Sequence, residues 1–277
     1  MNMKVTISKL QEAKKYGKKF SVVSCYDYTS AILSAAAGVD VLLAGDSASQ
    51  FMLGFNNTTD VSLEYMIAIT AGLRKASSEL LLVADMPYNG CCNGKDETLK
   101  NAQRFITECG ADIVKIEMVE VNLDTIKAMV DAGIPVMPHI GIRPQTGKYK
   151  AEGTTAEVGA ELIRFAEELY NAGVQMLLVE GTAREVAKII SEQLPIPVIS
   201  CGSGPDCDGQ VLVLPDILGL RDGQIPKFAK RFGNIGSAMV DAISSYSNQV
   251  KQGVFPDDEH SYHMKSGEYE KLEKMIK

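Results

Sequence analysis

Short apolar runs recur along this chain with room for one helix between neighbours, and this repetition limits the fold more than any other feature. The runs are Phe20 to Cys25, Val39 to Ala44, Leu80 to Ala84, Ile113 to Ile116, Pro135 to His139, Met176 to Val179 and Val198 to Cys201. Their brevity and near-continuous apolar character predict strands buried on both faces. Between them, Leu63 to Lys75, Thr98 to Cys109, Leu123 to Ala132, Glu157 to Ala172 and Ala183 to Gln193 space their apolar residues as helices do. Gly110, Gly133 and Gly173 fall where left-handed helix ends belong. Strands alternating with helices imply a parallel sheet with crossover helices, and this many units in one compact domain favours closure. The expected fold is therefore α/β, a (β/α)8 TIM barrel. Its eighth strand falls at Gly209 to Leu214, a segment that reads equally well as helix, which leaves an open doubly wound sheet as the alternative. Thr6 to Tyr16 predicts a short amphipathic N-terminal helix, capped by Thr6 and stopped by Gly17, that closes the barrel bottom.

A chain of 277 residues has room for one barrel and little else. We read residues 1–277 as a single domain, with the barrel at about residues 18–235 and a C-terminal helix and tail after it. The tail from Pro256 is polar and is expected on the surface or against a neighbouring subunit. The formal charge of −7 argues against the clustered positive surface by which proteins displace counterions from nucleic acid. A small-molecule substrate fits better. No apolar run nears the length of a membrane span, and Met1 to Leu10 lacks the charged-then-apolar order of a signal peptide, so a cytoplasmic location is expected. The six cysteines (Cys25, Cys91, Cys92, Cys109, Cys201 and Cys207) lack paired zinc-type spacing, which predicts free thiols.

In such barrels the loops after the strands converge on one mouth, so residues that end strands are the candidates for chemistry. Three successive strands end in acids: Asp46, Asp85 and Glu117. Like charges on one rim raise one another's pKa unless a cation joins them, and an all-oxygen donor set favours Mg²⁺, with Mn²⁺ or Ca²⁺ as substitutes. Taken singly, each acid also reads as a helix cap, Asp46 above all because Ser47 follows it. Lys115 lies two residues before Glu117 and shares its face, the barrel interior. It is either a counter-ion to the acids or a hold on a substrate carboxylate or oxyanion, and the two roles are compatible.

His139 closes the fifth strand and Glu180 the sixth, both toward the same cavity. We read His139 as substrate-binding. Glu180 stands away from the three acids in strand order, which suits proton transfer better than metal ligation; a helix cap or an ion pair is its other reading. Gly202-Ser-Gly204 follows the seventh strand, where many barrels bind phosphate through backbone N–H groups, but alone it is a weak signal. Cys91-Cys92 has no base nearby in sequence and reads as inert.

Ordered blocks along most of the chain carry a resemblance: Tyr26-Asp-Tyr28, Gly45-Asp-Ser47, Leu82-Val-Ala-Asp-Met-Pro87, Val114-Lys-Ile-Glu117, His139-Ile-Gly-Ile-Arg-Pro-Gln145, Asp208-Gly-Gln-Val-Leu-Val213, Pro226-Lys-Phe-Ala-Lys230 and Glu259-His-Ser261. The chain resembles the ketopantoate hydroxymethyltransferase family. That resemblance implies a (β/α)8 barrel of the phosphoenolpyruvate mutase and isocitrate lyase group, a homo-oligomer, commonly decameric, that uses Mg²⁺ and 5,10-methylenetetrahydrofolate. It implies that Asp46, Asp85 and Glu117 bind the metal, that Asp46, Ser47, Asp85 and Lys115 contact the 2-oxo acid, and that Glu180 accepts the proton on carbon 3 of 3-methyl-2-oxobutanoate. The chain departs from the family at Thr146-Gly-Lys-Tyr-Lys150, a loop several residues shorter than usual at the substrate mouth, at Met118 after the Lys-Ile-Glu motif, at Gly202-Ser-Gly204, at Tyr88-Asn-Gly-Cys-Cys92 and around Ile69-Thr70. Retained acids beside a shortened loop imply the same enolate chemistry with an altered pocket or second substrate. The alternative is an Mg²⁺-dependent lyase, aldolase or transferase of the same group acting on a different 2-oxo acid.

Overall fold

The computed structural model describes residues 4–119, 121–146, 149–221 and 225–277. Gly147 and Lys148 of the shortened loop, and Met1 to Met3 of the N-terminal stretch, lie outside the described residues. Eight strands, β1 (Phe20–Ser24), β2 (Val41–Ala44), β3 (Leu81–Asp85), β4 (Ile113–Glu117), β5 (Val136–Gly141), β6 (Leu177–Glu180), β7 (Val198–Cys201) and β8 (Gly209–Val213), form a closed barrel in sequence order. Every pairing is parallel. The eighth segment is thus a strand rather than a helix, and its pairing with β1 from Phe20↔Gly209 to Ser24↔Val213 excludes the open sheet.

The helices are α1 (Ile7–Lys15), α2 (Tyr28–Ala36), α3 (Ala48–Phe51), α4 (Leu63–Ala76), α5 (Tyr88–Cys91), α6 (Lys95–Thr107), α7 (Leu123–Asp131), α8 (Ala156–Asn171), α9 (Arg184–Gln193), α10 (Leu214–Leu218), α11 (Ile235–Lys251) and α12 (Glu268–Ile276). Gly110, Gly133 and Gly173 have φ of +67°, +75° and +91°, the left-handed turn expected after α6, α7 and α8. As expected, α1 is capped by the Thr6 hydroxyl, which accepts from Lys9 N–H. Its Leu10 is 3% exposed and joins the apolar cluster inside the barrel, while Lys14 Nζ reaches Asp208 at 2.6 Å. The floor is therefore closed by a buried leucine and a largely buried ion pair.

Side chains alternate along each strand between two cores. Phe20, Val22, Val41, Leu43, Leu81, Val83, Ile113, Met137, Leu178, Ile199 and Val211 fill the barrel interior. Leu42, Leu82, Val114, Ile116, Val136, Leu177 and Val198 lie in the cluster between sheet and helices. The described residues fall into two compact units, one within Met1–Ile217 and Gln224–Lys230, the other within Leu218–Gly223 and Arg231–Lys277. The first holds the whole barrel; the second holds α11 and α12. All six cysteines are free, and among the described residues no helix is long and apolar enough to cross a membrane.

Candidate active site

On β3 to β7 the inward-facing series of the barrel turns from apolar to ionisable as the strand reaches the mouth. Leu81 and Val83 lead to Asp85, Ile113 leads to Lys115 and Glu117, Met137 to His139, Leu178 to Glu180, and Ile199 to Cys201. Asp46 arrives differently, one residue beyond Gly45. A Cβ on Gly45 would stand 2.3 Å from Ser24 Oγ, so only glycine lets the ends of β1 and β2 close up and carry Asp46 over the rim.

The acids are not helix caps. Pro87 caps α5, Ala183 caps α9, and Ser47 stands at the start of α3, so Asp85, Glu180 and Asp46 are left to the cavity. They join a chain of contacts around the mouth. Lys115 Nζ donates to Asp85 Oδ1 at 2.6 Å, and Asp46 N–H donates to Asp85 Oδ2 at 3.0 Å. Gln145 Nε2 donates to Asp46 Oδ2 at 2.9 Å, while Gln145 N–H donates to Glu117 Oε2 at 3.1 Å. His139 then stands between two carboxylates, Nδ1 3.6 Å from Glu117 and Nε2 3.5 Å from Glu180. Cys201 on β7 is the register partner of Glu180 and lies beside its carboxyl group. Ser47 lies at the edge of this arc, its hydroxyl 2.9 Å from that of Tyr26, whose ring stacks on Phe51.

Burial dominates the electrostatics. Asp46, Asp85, Lys115, Glu117 and His139 are each 5% exposed or less. Burial, then the charge of Asp85, pushes the Asp46 carboxyl well above its ordinary range. Burial raises Glu117 to about 7 and Glu180 to about 7, against the pull of Lys115 in both cases. Lys115 itself stays charged: burial works to lower it, but Asp85, Asp46 and Glu117 together hold it above the usual lysine range. Burial, with Lys115 second, holds His139 well below the usual imidazole value, so it is neutral. Beyond the undescribed Gly147 and Lys148, burial followed by Asp46, Glu117 and Glu180 raises Tyr149, which places its phenol within the field of the site.

Four carboxyl groups thus face one ammonium, a donor set whose hard oxygens suit a divalent cation. Glu117 Oε1 and Gln145 Oε1 are buried without a hydrogen-bond partner among the described residues, as oxygens that await a further group would be. Among the described residues no three His, Cys, Asp and Glu side chains already stand as a ligand shell, because Lys115 holds Asp85 and Gln145 holds Asp46. Asp46, Asp85 and Glu117 are the residues that could hold the ion.

All the residues singled out from sequence at the strand ends meet in this one arc. Sequence reasoning missed Gln145, Cys201 and Tyr26 as site residues. Cys201 shares inward parity with Ile199, a signal that was present; Gln145 sits in a single 3-10 turn, Pro144–Thr146, where no periodicity points inward. The Gly202–Gly204 segment is turned to structure: Ser203 N–H donates to Ser200 Oγ, and Ser203 Oγ donates to Val179 O and accepts from Thr182 N–H. Burial pushes Cys91 up to about 12, in keeping with an inert thiol.

The family pattern for ketopantoate hydroxymethyltransferase matches residues 4–258. A 3-methyl-2-oxobutanoate hydroxymethyltransferase from Anaeromyxobacter sp. (strain Fw109-5) is 44% identical over 268 residues, covering 94% of this chain and 88% of the relative. One from Nitrosopumilus maritimus (strain SCM1) is 42% identical over 278 residues, covering 99% of each. Among solved structures, a 2,3-dimethylmalate lyase of the PEP mutase/isocitrate lyase superfamily is similar with a TM-score of 0.59 at 18% identity, covering 98% of this chain and 99% of that one. A phosphonopyruvate hydrolase in complex with oxalate and Mg²⁺ is similar with a TM-score of 0.60 at 13% identity, covering 98% and 97%. These two likenesses concern the fold.

Proposed function

Because this chain belongs to the ketopantoate hydroxymethyltransferase family, a family of transferase enzymes, we propose that it transfers a hydroxymethyl group from 5,10-methylenetetrahydrofolate to 3-methyl-2-oxobutanoate, giving 2-dehydropantoate. One observation carries the reading: Glu180, a partly buried carboxyl that burial raises to about 7, lies across His139 from the acid cluster that Lys115 serves. A base poised near neutrality can take a proton from carbon 3 and later hold it away from the carbanion.

Asp46, Asp85 and Glu117 would hold Mg²⁺ or Mn²⁺. When bound, the cation supplies a Lewis acid for the carboxylate and keto oxygens of the 2-oxo acid, which draws charge from carbon 3. Lys115 meets the substrate carboxylate with a fixed positive charge, and Ser47, oriented by Tyr26, donates a hydroxyl at the rim. Neutral His139 lines the substrate cavity between Glu117 and Glu180 without adding a competing charge. Carbon 3 then forms its bond to the one-carbon unit, water supplies the hydroxyl, and tetrahydrofolate leaves. The test is turnover with a panel of 2-oxo acids, with and without methylenetetrahydrofolate and Mg²⁺. Folate-dependent formation of 2-dehydropantoate supports the reading; folate-independent release or condensation of another 2-oxo acid overturns it.

We place the protein in a homo-oligomer, a decamer by family resemblance, in the cytoplasm. The apolar side chains exposed on α11 support the first, and six free thiols support a reducing compartment.

A further inference from the structure

Gln145 is 6% exposed and touches two of the three acids, one through its backbone and one through its side chain. The local chain explains how it gets there. After β5 the backbone turns at Gly141, Arg143 Nη1 anchors the loop on Met118 O at 2.9 Å, and the turn at Pro144–Thr146 aims Gln145 N–H at Glu117. The orientation of its amide follows from chemistry, since Nε2 lies 2.9 Å from Asp46 Oδ2 and 3.2 Å from Met86 O, both acceptors. The flipped amide would set oxygen against two oxygens. Oε1 is then left buried with no hydrogen-bond partner among the described residues.

We propose that Gln145 is a positioning residue of the cation site. Its backbone N–H and side-chain NH₂ fix Glu117 and Asp46 in register with each other, and Oε1 is an acceptor reserved for a hydrogen-bond donor that arrives with the cation or the substrate. Without Gln145 the two carboxylates lose their common tether, and the strands that carry them, β4 and the end of β2, are not neighbours in the barrel. This inference rests on the metal-dependent reading of the site.

The experiment measures Mn²⁺ binding to the full-length protein by the loss of the free-ion electron paramagnetic resonance signal, with the thermal midpoint of the metal-free protein as a second readout. Gln145→Met keeps volume and the backbone N–H but removes the amide. The expected result is a loss of Mn²⁺ affinity of about 10- to 100-fold, the range for groups that orient metal ligands, at a nearly unchanged metal-free midpoint. Gln145→Asn keeps an amide one methylene too short to span both acceptors and is expected to lose affinity in the same way; it decides the matter if Gln145→Met does not fold. Affinity within twofold of the parent in either folded variant overturns the proposal. If the parent protein itself takes up no Mn²⁺, the metal-dependent reading fails and this inference with it.

Discussion

Glu180 illustrates, at the scale of one residue, how a barrel trades stability for reactivity. Unfolded, its carboxyl ionises near 4.5; burial in the mouth raises it to about 7. Between those values the folded chain keeps a proton that the unfolded chain has lost, so stability falls as pH rises through that window, and the penalty is complete above about 7. Glu180→Gln stays neutral and is expected to abolish turnover while stabilising the metal-free protein at pH 8 by about 3 kcal/mol, since one pKa unit corresponds to about 1.4 kcal/mol and the shift spans more than two of them. Urea unfolding in the presence of a chelator measures this, and equal stability of the two proteins would remove burial as the source of the shift. As the proposed base of the intact enzyme, the same carboxyl is expected to set the acid limb of kcat/KM, with activity rising through about pH 7. Cys201, the register partner of Glu180 on β7, works against burial by favouring the ionised form. Cys201→Ala should therefore move that limb upward by about half a unit to one unit, as expected for one net hydrogen bond of about 1 kcal/mol. A limb that stays put, or moves down, means the thiol does not tune the base. Asp85, Lys115, Glu117, His139 and Glu180 were readable from sequence because strand parity and strand ends suffice to aim them. Gln145 was not, since its place depends on a turn whose direction is set by tertiary contacts.

At the scale of elements, the end of β5 determines where Glu180 can sit. Gly141 has φ of +88°, and a Cβ there would stand 2.2 Å from Glu180 O and 2.4 Å from Thr182 Oγ1. Gly141→Ala must push the last residues of β6 aside, so a stability loss of about 1–3 kcal/mol is expected together with a fall in kcat larger than the unfolded fraction explains. Gly133→Ala is the control: its φ is +75°, yet no atom lies within 4 Å of the added Cβ, so backbone strain should lower stability by about 1 kcal/mol and leave kcat alone. Similar kinetic effects from both would show that the close approach to β6 is unimportant. The elements themselves were legible wherever periodicity was strong. Seven strands fell within two residues of their expected ends, and β8 became definite only through its pairing with β1, which no local pattern contains. α2 was missed because Ala and Ser populate it on all sides and blur the apolar stripe; the readable signal was Asp27, whose carboxylate accepts from Ser30 N–H as an N-cap. α6 begins three residues before the expected Thr98 because Lys95, Asp96 and Glu97 form a polar first turn, outside the apolar pattern.

At the scale of the whole molecule, α11 is the helix with the longest exposed apolar stripe among the described residues. It spans 17 residues without one buried residue. Ile235, Met239, Ile243, Tyr246 and Val250 follow one another at helical spacing, with exposures of 43%, 50%, 62%, 60% and 44%. Helices in water draw most of their stability from covering such a stripe, so a helix of this composition calls for a partner surface, and a second copy of the chain supplies one in the proposed homo-oligomer. Burying a side chain of this kind is worth about 1.5–3 kcal/mol. Replacing Met239 and Ile243 together by Asp is thus expected to weaken each contact that α11 makes between copies by about 3 kcal/mol or more, which corresponds to a rise in dissociation constant of about a hundredfold or greater. Sedimentation velocity at micromolar concentration should show the parent as an assembly much larger than one chain and the double variant as smaller species. The barrel of the variant should stay folded, because none of the interior cluster from Leu10 to Val211 includes an α11 residue. A parent that sediments as a monomer, or a double variant that assembles as the parent does, would remove α11 as the surface that joins the copies.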